Sequence, residues 1–367
     1  MEPLNVDLMG GGQAQGSVAN YIAGNGRLDI GRMRPFVDVK TGKQCIAVFK
    51  GGNPKDIKNY AVLPTTNATL RRDEWKQLDE AINMVSRYRL VGIQDLIAAG
   101  LTFNLGNAMG TTVLEWHDVS DPMEADMTMD GVTRGLGDRP IFQHNYLPIP
   151  IIHVDYEINA RELETSRNMG NGIDTTAAES AARRINEKLE NMLFTNTSYS
   201  FGEKDSRNRN TIYSYVNHPD RNLVSMGTHW DDLVSNIGTT IIGQVFQMKA
   251  ASLADYHYGP WNLYIPANFE VVIDKDYDTV TPGTTIRERI MKIDGIKKIQ
   301  VIDSLPTDNV LLVQMTPDVV RLVRGFGLQN IQWGVEGNLI TKFKVMTIQV
   351  PQIRSDMNRR SGLVHLA

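Results

Sequence analysis

Cysteine is almost missing from this chain. Cys45 stands alone among 367 residues, which excludes a disulfide within the chain and any cysteine zinc cluster. That scarcity suits a reducing compartment. No stretch approaches the roughly 18 consecutive apolar residues of a membrane-spanning helix. The start, Met1-Glu-Pro-Leu-Asn5, lacks the basic region and apolar stretch of a signal peptide. An excess of positive charge is also missing. Lys and Arg number 38 against 42 Asp and Glu, a net charge of −4, so no basic field drives tight nucleic-acid binding. Aromatic residues make up 7% and are not interleaved with basic ones, which argues against a platform for stacked bases.

Motifs of common enzyme chemistry are absent too. There is no G-x-x-x-x-G-K-[ST] phosphate loop, and no strand precedes Gly24-Asn-Gly26 to make a dinucleotide fingerprint. The seven histidines form no H-x-x-x-H pair, no G-x-S-x-G elbow occurs, and Cys45 is poorly placed for a catalytic dyad. Asp274, Asp276 and Asp278 alternate like the opening of a calcium loop. Thr279 stands where that loop needs glycine, and Thr285 where it needs its closing glutamate. No catalytic, cofactor or metal residue is assigned, and the chain is expected not to be an enzyme.

What the chain does contain is organised in blocks. Residues 1–68 are rich in glycine and proline and should form an extended arm, because they cannot build a core of their own. Two apolar islands in it, Tyr21-Ile22 and Cys45 to Phe49, should dock on a neighbour. From 69 to 110 the chain reads as helical. Asn67 or Thr69 can cap its start, and Trp75, Leu78, Ile82, Val85 and Leu90 recur near helical spacing, with Gly100 as the stop. Residues 111–150 read as a long hairpin, with a strand at Thr111 to Trp116 and an acidic, methionine-rich stretch from Asp121 to Asp130. Such a hairpin buries little by itself and needs another chain for support. Its acids can pair with arginines of that chain.

Residues 147–194 carry the most information. The extended run from Leu147 to Ile158 places Ile152, Val154, Tyr156 and Ile158 on one face and His153, Asp155 and Glu157 on the other. A long helix follows from Asp174, with Ala177, Ala178, Ala181, Ala182, Ile185, Leu189 and Leu193 forming one stripe. The alanines permit close approach of another backbone, and Glu179 and Arg183 form a pair four residues apart. Residues 229–335 alternate helices and strands as a compact α/β unit, and a last strand begins at Leu339.

This order resembles the Hong Kong 97-like shell proteins, that is, tailed-phage major capsid proteins and the related bacterial encapsulins. Asp73-Glu-Trp75-Lys-Gln-Leu-Asp79 with Arg89-Leu-Val-Gly92 resembles their first helix. Leu147-Pro-Ile-Pro150, Arg161-Glu-Leu163 and Ala177 to Glu190 resemble their strand and spine helix. Tyr258-Gly-Pro260-Trp-Asn-Leu-Tyr-Ile-Pro266 resembles the opening strand of their axial domain. The resemblance spans about residues 69–355. It implies an α+β fold with an N-terminal arm (1–68), a helical segment (69–110), an extended hairpin or E-loop (111–150), a peripheral domain (151–228) with a spine helix at 174–196, an axial domain (229–335), and a returning strand and tail (336–367).

The resemblance also implies a partner, namely further copies of the chain, arranged as pentamers and hexamers of an icosahedral shell. Trp116, Asp126, Asp130, Arg134, Ala178, Ala182 and Arg183 are the residues expected to carry assembly. For a phage capsid the contents are double-stranded DNA held without sequence specificity, and scaffolding, portal and decoration proteins are further partners. The location is the virion, assembled in the host cytoplasm, with no membrane. The long arm before Trp75 favours the capsid over the encapsulin-like compartment with a cargo enzyme. A soluble enzyme using residues 229–335 is a third reading, and no convergent polar set there supports it.

Overall fold

A computed structural model describes residues 33–39, 41–49, 60–64, 70–88, 91–120, 127, 129, 139–168, 175–202, 211–277, 283–336 and 339–367. Its strands are β1 (Met33–Val37), β2 (Gln44–Phe49), β3 (Tyr60–Pro64), β4 (Thr102–Asn104), β5 (Val113–Val119), β6 (Phe142–Pro148), β7 (Ile152–Asn159) and β8 (Tyr199–Ser200). They continue as β9 (Thr211–Ile212), β10 (Asn222–Val224), β11 (Trp261–Pro266), β12 (Ile296–Ile302), β13 (Val310–Gln314), β14 (Val320–Glu336), β15 (Ile340–Ile353) and β16 (Leu363–Leu366).

The spine helix, Thr176–Phe194, organises one half of the molecule. Ala178, Ala181, Ala182, Ile185, Leu189 and Leu193 are all buried in the largest core cluster. Against this face lie β7 and β15, which belong to a four-stranded sheet of order β4-β14-β15-β7. β7 alternates as its sequence requires: Ile152, Val154, Tyr156 and Ile158 pack on that core, while His153 and Asp155 face outward. The helix Arg72–Tyr88 brings Trp75, Leu78 and Ile82 into the same cluster. Each such large side chain contributes about 1.5–3 kcal/mol when fully buried. A second helix, Val91–Ala98, approaches the spine so closely that a Cβ on Gly92 would stand 2.5 Å from the Phe194 ring. It ends at Gly100, whose φ of +72° suits glycine, with the Leu101 amide donating back to Leu96.

The other half is a five-stranded sheet of order β10-β16-β13-β11-β12 with its own core. The helix Ile237–Ala254 and the shorter Ile286–Met291 pack on it. Trp230, Trp261 and Phe269 fill this core, and Thr285 caps the short helix by accepting from the Glu288 amide at 3.2 Å.

Three expectations need revision. The first concerns the arm. β1, β2 and β3 form a three-stranded antiparallel sheet within it. Its Phe36 and Ala47 join the Trp75 cluster, and the Trp75 indole donates to the Pro35 carbonyl at 2.6 Å. The second apolar island therefore docks on its own subunit, borrowing the Trp75 helix for the core it lacks. Tyr21-Ile22, Asn67 and Thr69 lie outside the described residues.

The second concerns β14, a 17-residue strand where the sequence offered none. Glycines interrupt its apolar pattern, and its pairing with β15 slips at three places. Gly325 sits at one of them because a Cβ there would lie 2.6 Å from Ala108. Since β14 pairs with β15, residues 320–335 belong with the spine helix rather than with the α/β unit. The third concerns the tail, whose residues 363–366 form β16, an interior strand of the five-stranded sheet between β10 and β13. Within the spine helix, Ala177 faces solvent, and Glu179 accepts from the Thr175 hydroxyl at 2.8 Å where a pair with Arg183 was expected.

The burial of Ala182 generates a prediction. Ala182→Glu places an unpaired charge in a closed core and should cost about 3 kcal/mol or more, read as a lower denaturation midpoint. An unchanged midpoint would contradict the packing.

Candidate assembly surfaces

The hairpin is formed by β5 and β6, in register from Val113 opposite Pro148 to Val119 opposite Phe142. Its root and its far end differ. At the root, Trp116 is half-buried across from Asn145, and Asn145 donates to the buried carboxylate of Asp118. Trp116 borders a pocket of about 190 Å³ shared with Tyr213, His218 and Arg354. Its neighbours are thus in its own chain, and it seats the hairpin on the body. Toward the far end apolar side chains lose that cover. Val119 is 48% exposed, Ile141 60% and Phe142 59%, and Met127 and Met129 are fully exposed. Val119 and Phe142 are directly paired across the two strands, and an exposed apolar pair of this kind is a candidate contact surface. The exposure of Val119, Ile141 and Phe142 was not read from the sequence, because each looks like an ordinary strand position there.

Of the residues expected to carry assembly, Asp126, Asp130 and Arg134 lie outside the described residues. Ala178 and Ala182 are buried within the subunit, so the small-residue face serves the subunit's own packing. Arg183 is exposed on the outer side of the spine helix. Of the four described, only Arg183 is exposed, with Trp116 half-buried and Ala178 and Ala182 buried.

A buried polar junction links the two halves. The Glu190 carboxylate, near the end of the spine helix, accepts from the Gly92 amide at 3.2 Å through Oε1, and its Oε2 is buried with no hydrogen-bond partner. Asp95, one turn along from Gly92, accepts from the Tyr264 hydroxyl on β11 at 3.2 Å and pairs with Lys298 on β12 at 2.8 Å. Asn262 donates to the same hydroxyl at 3.4 Å. The rings of Tyr215 and Tyr264 both pack on Phe194, at 5.5 and 5.1 Å between centroids. Burial and the nearby carboxylates push both phenols well above their usual range. Burial, opposed by the Gly92 hydrogen bond and reinforced by the Asp95 charge, raises Glu190 from 4.5 to about 7. A signal for this junction is present in the sequence: Asn186 and Glu190, four residues apart, interrupt the apolar stripe of the spine helix.

The layout of spine helix, long hairpin and separate α/β unit is the Hong Kong 97-like shell fold. A virus-like particle from Pyrococcus furiosus superposes with a TM-score of 0.56 at 17% identity, covering 80% of this chain and 99% of that one. The capsid of Myoviridae phage XM1 gives 0.55 at 10% identity, over 75% and 91%. The capsid of the native GTA particle gives 0.53 at 11%, over 76% and 90%. Identities this low define the fold alone. By sequence, residues 65–366 match the model of a family described as a family of unknown function (DUF6260), and the chain belongs to it. No curated protein matches the sequence.

The junction predicts a specific pH dependence. Below about pH 4.5 Glu190 is protonated in both folded and unfolded chains and adds no slope. As pH rises the unfolded chain ionises first, so the folded state loses stability until about pH 7, beyond which the loss is constant. The whole difference corresponds to about 3 kcal/mol. Glu190→Gln should remove this component, making the variant the more stable chain at pH 8. Denaturation curves at pH 5 and pH 8 check it, and parallel losses in both chains would refute it.

Proposed function

We propose that this protein is the major capsid protein of a tailed bacteriophage, self-assembling into an icosahedral shell around double-stranded DNA. The observation that carries the reading is the hairpin, whose Val119, Ile141 and Phe142 are exposed among the described residues. Copies of the same chain cover them when the hairpin of one lies across the next, and repeated identical contacts close a container. Each contact can be weak, because every subunit makes several at once. The net charge of −4 suits a wall that holds DNA without gripping it. In this reading the shell is built of pentamers and hexamers in the host cytoplasm, with scaffolding, portal and decoration proteins as partners. Asp126 and Asp130 pair with cations of the neighbour, Arg134 with its acids, and Arg183 faces an adjoining copy.

An encapsulin-like compartment enclosing a cargo enzyme is the second reading. The likeness to the Pyrococcus furiosus particle over 99% of that chain supports it. Against it stands the length of chain before the Trp75 helix.

Negative-stain microscopy of purified protein should show closed shells of uniform diameter; small discrete oligomers alone would sink both readings. Nuclease-protected double-stranded DNA in particles from the native source supports the capsid, and a co-purifying cargo enzyme supports the compartment. The double variant Val119→Asp, Phe142→Lys, which sets opposite charges across the ladder, should abolish shells while changing subunit stability by no more than about 0.5 kcal/mol per site. Normal shells from it would remove the hairpin from the contact.

A further inference from the structure

The spine helix leaves part of its sheet uncovered. Beside it runs a groove of about 500 Å³, with the start of β7 as one wall and Ile185 and Met192 of the helix as the other. β7 is an edge strand, and among the described residues no strand pairs with its outer side. Ile152 and Val154 face the helix and His153 faces away, yet all three line the groove, so it wraps around the open edge. An uncovered edge beside an apolar trough is a template for an added strand. The helix side of the rim is cationic. Lys188 and Arg184 are exposed there, and Arg184 shares its charge with Glu187 at 3.0 Å.

Residues 1–32 lie outside the described residues, and their sequence contains a pattern that would suit an added strand. Leu4-Asn5-Val6-Asp7-Leu8 alternates strictly, with Leu4, Val6 and Leu8 on one face. Glu2 shares that face, Asp7 lies on the other, and residues 1–9 hold no lysine or arginine, so the segment is acidic where the rim is basic. Twenty-four residues, seven of them glycine, separate Leu8 from Met33. For a random coil, 24 residues correspond to about 27 Å on average, comparable with the dimensions of one subunit. The segment can therefore reach the groove of its own subunit.

We infer that residues 4–8 add to the outer edge of β7 in their own subunit as a fifth strand of that sheet. Leu4, Val6 and Leu8 fill the groove against Ile185 and Met192, and Glu2 extends the same face towards Arg184 and Lys188. Asn5 and Asp7 share the outward face with His153, since side chains paired across strands lie on one side. The added strand blocks an edge that otherwise invites pairing between copies.

The test compares the full chain, kept dilute and unassembled, with the variant Leu4→Asp, Val6→Asp, Leu8→Asp. Outward-pointing amides of Ile152–Ile158 should exchange roughly tenfold more slowly in the wild-type chain, as expected when local opening must break a strand pairing. A fluorescent peptide of residues 1–12 should bind the variant and not the wild type, whose groove is filled. Equal exchange in the two chains overturns the inference, as does peptide binding to both or to neither. Protection that appears in the wild type only as concentration rises would show pairing between copies, and overturns it as well.

Discussion

Close packing on one face of the spine helix is the constraint from which the rest of the subunit follows. Alanine at 178, 181 and 182 brings neighbouring elements near the helix axis, and larger residues from Ile185 onward fill the space where the elements diverge. Sheet, Trp75 helix and Val91–Ala98 helix all close on that face. Even the missing side chain of Gly92 belongs to this arrangement, because it lets Phe194 settle between the helix and the two tyrosines of the junction. The first half of the helix thus sets the interior of one unit. Its last turn sets how that unit meets the other.

That meeting is apolar in part, since Ile302, Leu311, Val313 and Leu363 share the spine helix's core cluster, and a polar junction is set into it. Glu190, Asp95, Lys298 and Tyr264 come from four different elements, and their hydrogen bonds are directional in a way that methyl contacts are not. Slippage of either unit by one residue would leave a carboxylate buried without its donor. The arrangement therefore ties the Val91–Ala98 helix to β11 and β12 at a defined register.

Much of this architecture was legible in the sequence. The alternation from Ile152 to Ile158 and the stripe from Ala178 to Leu193 are strong periodic signals, because each element packs on one side only. The hairpin was legible through the opposite property, a long stretch with too little apolar content to fold inward. What escaped depends on distant contacts. β14 was hidden in part because Gly325 answers to Ala108 and Ile348, outside its own strand. The sheet from Met33 to Pro64 was hidden because its core is supplied by Trp75 and Leu70 rather than by its own residues. Among the assembly residues, composition picked out the acidic loop. It could not tell that the alanine face is spent inside the subunit, since a close-packed helix face looks the same whichever chain covers it.

The path of β16 has a consequence for timing. The five-stranded sheet has Leu363–Leu366 between β10 and β13, so a unit whose other strands lie between residues 222 and 314 stays open until residue 366 has left the ribosome. Met226 then donates to Ala367, and the Arg221 guanidinium to the His365 ring, tying the two ends of the unit together. A nascent chain therefore lacks an interior strand of this sheet until residues 363–366 have been made.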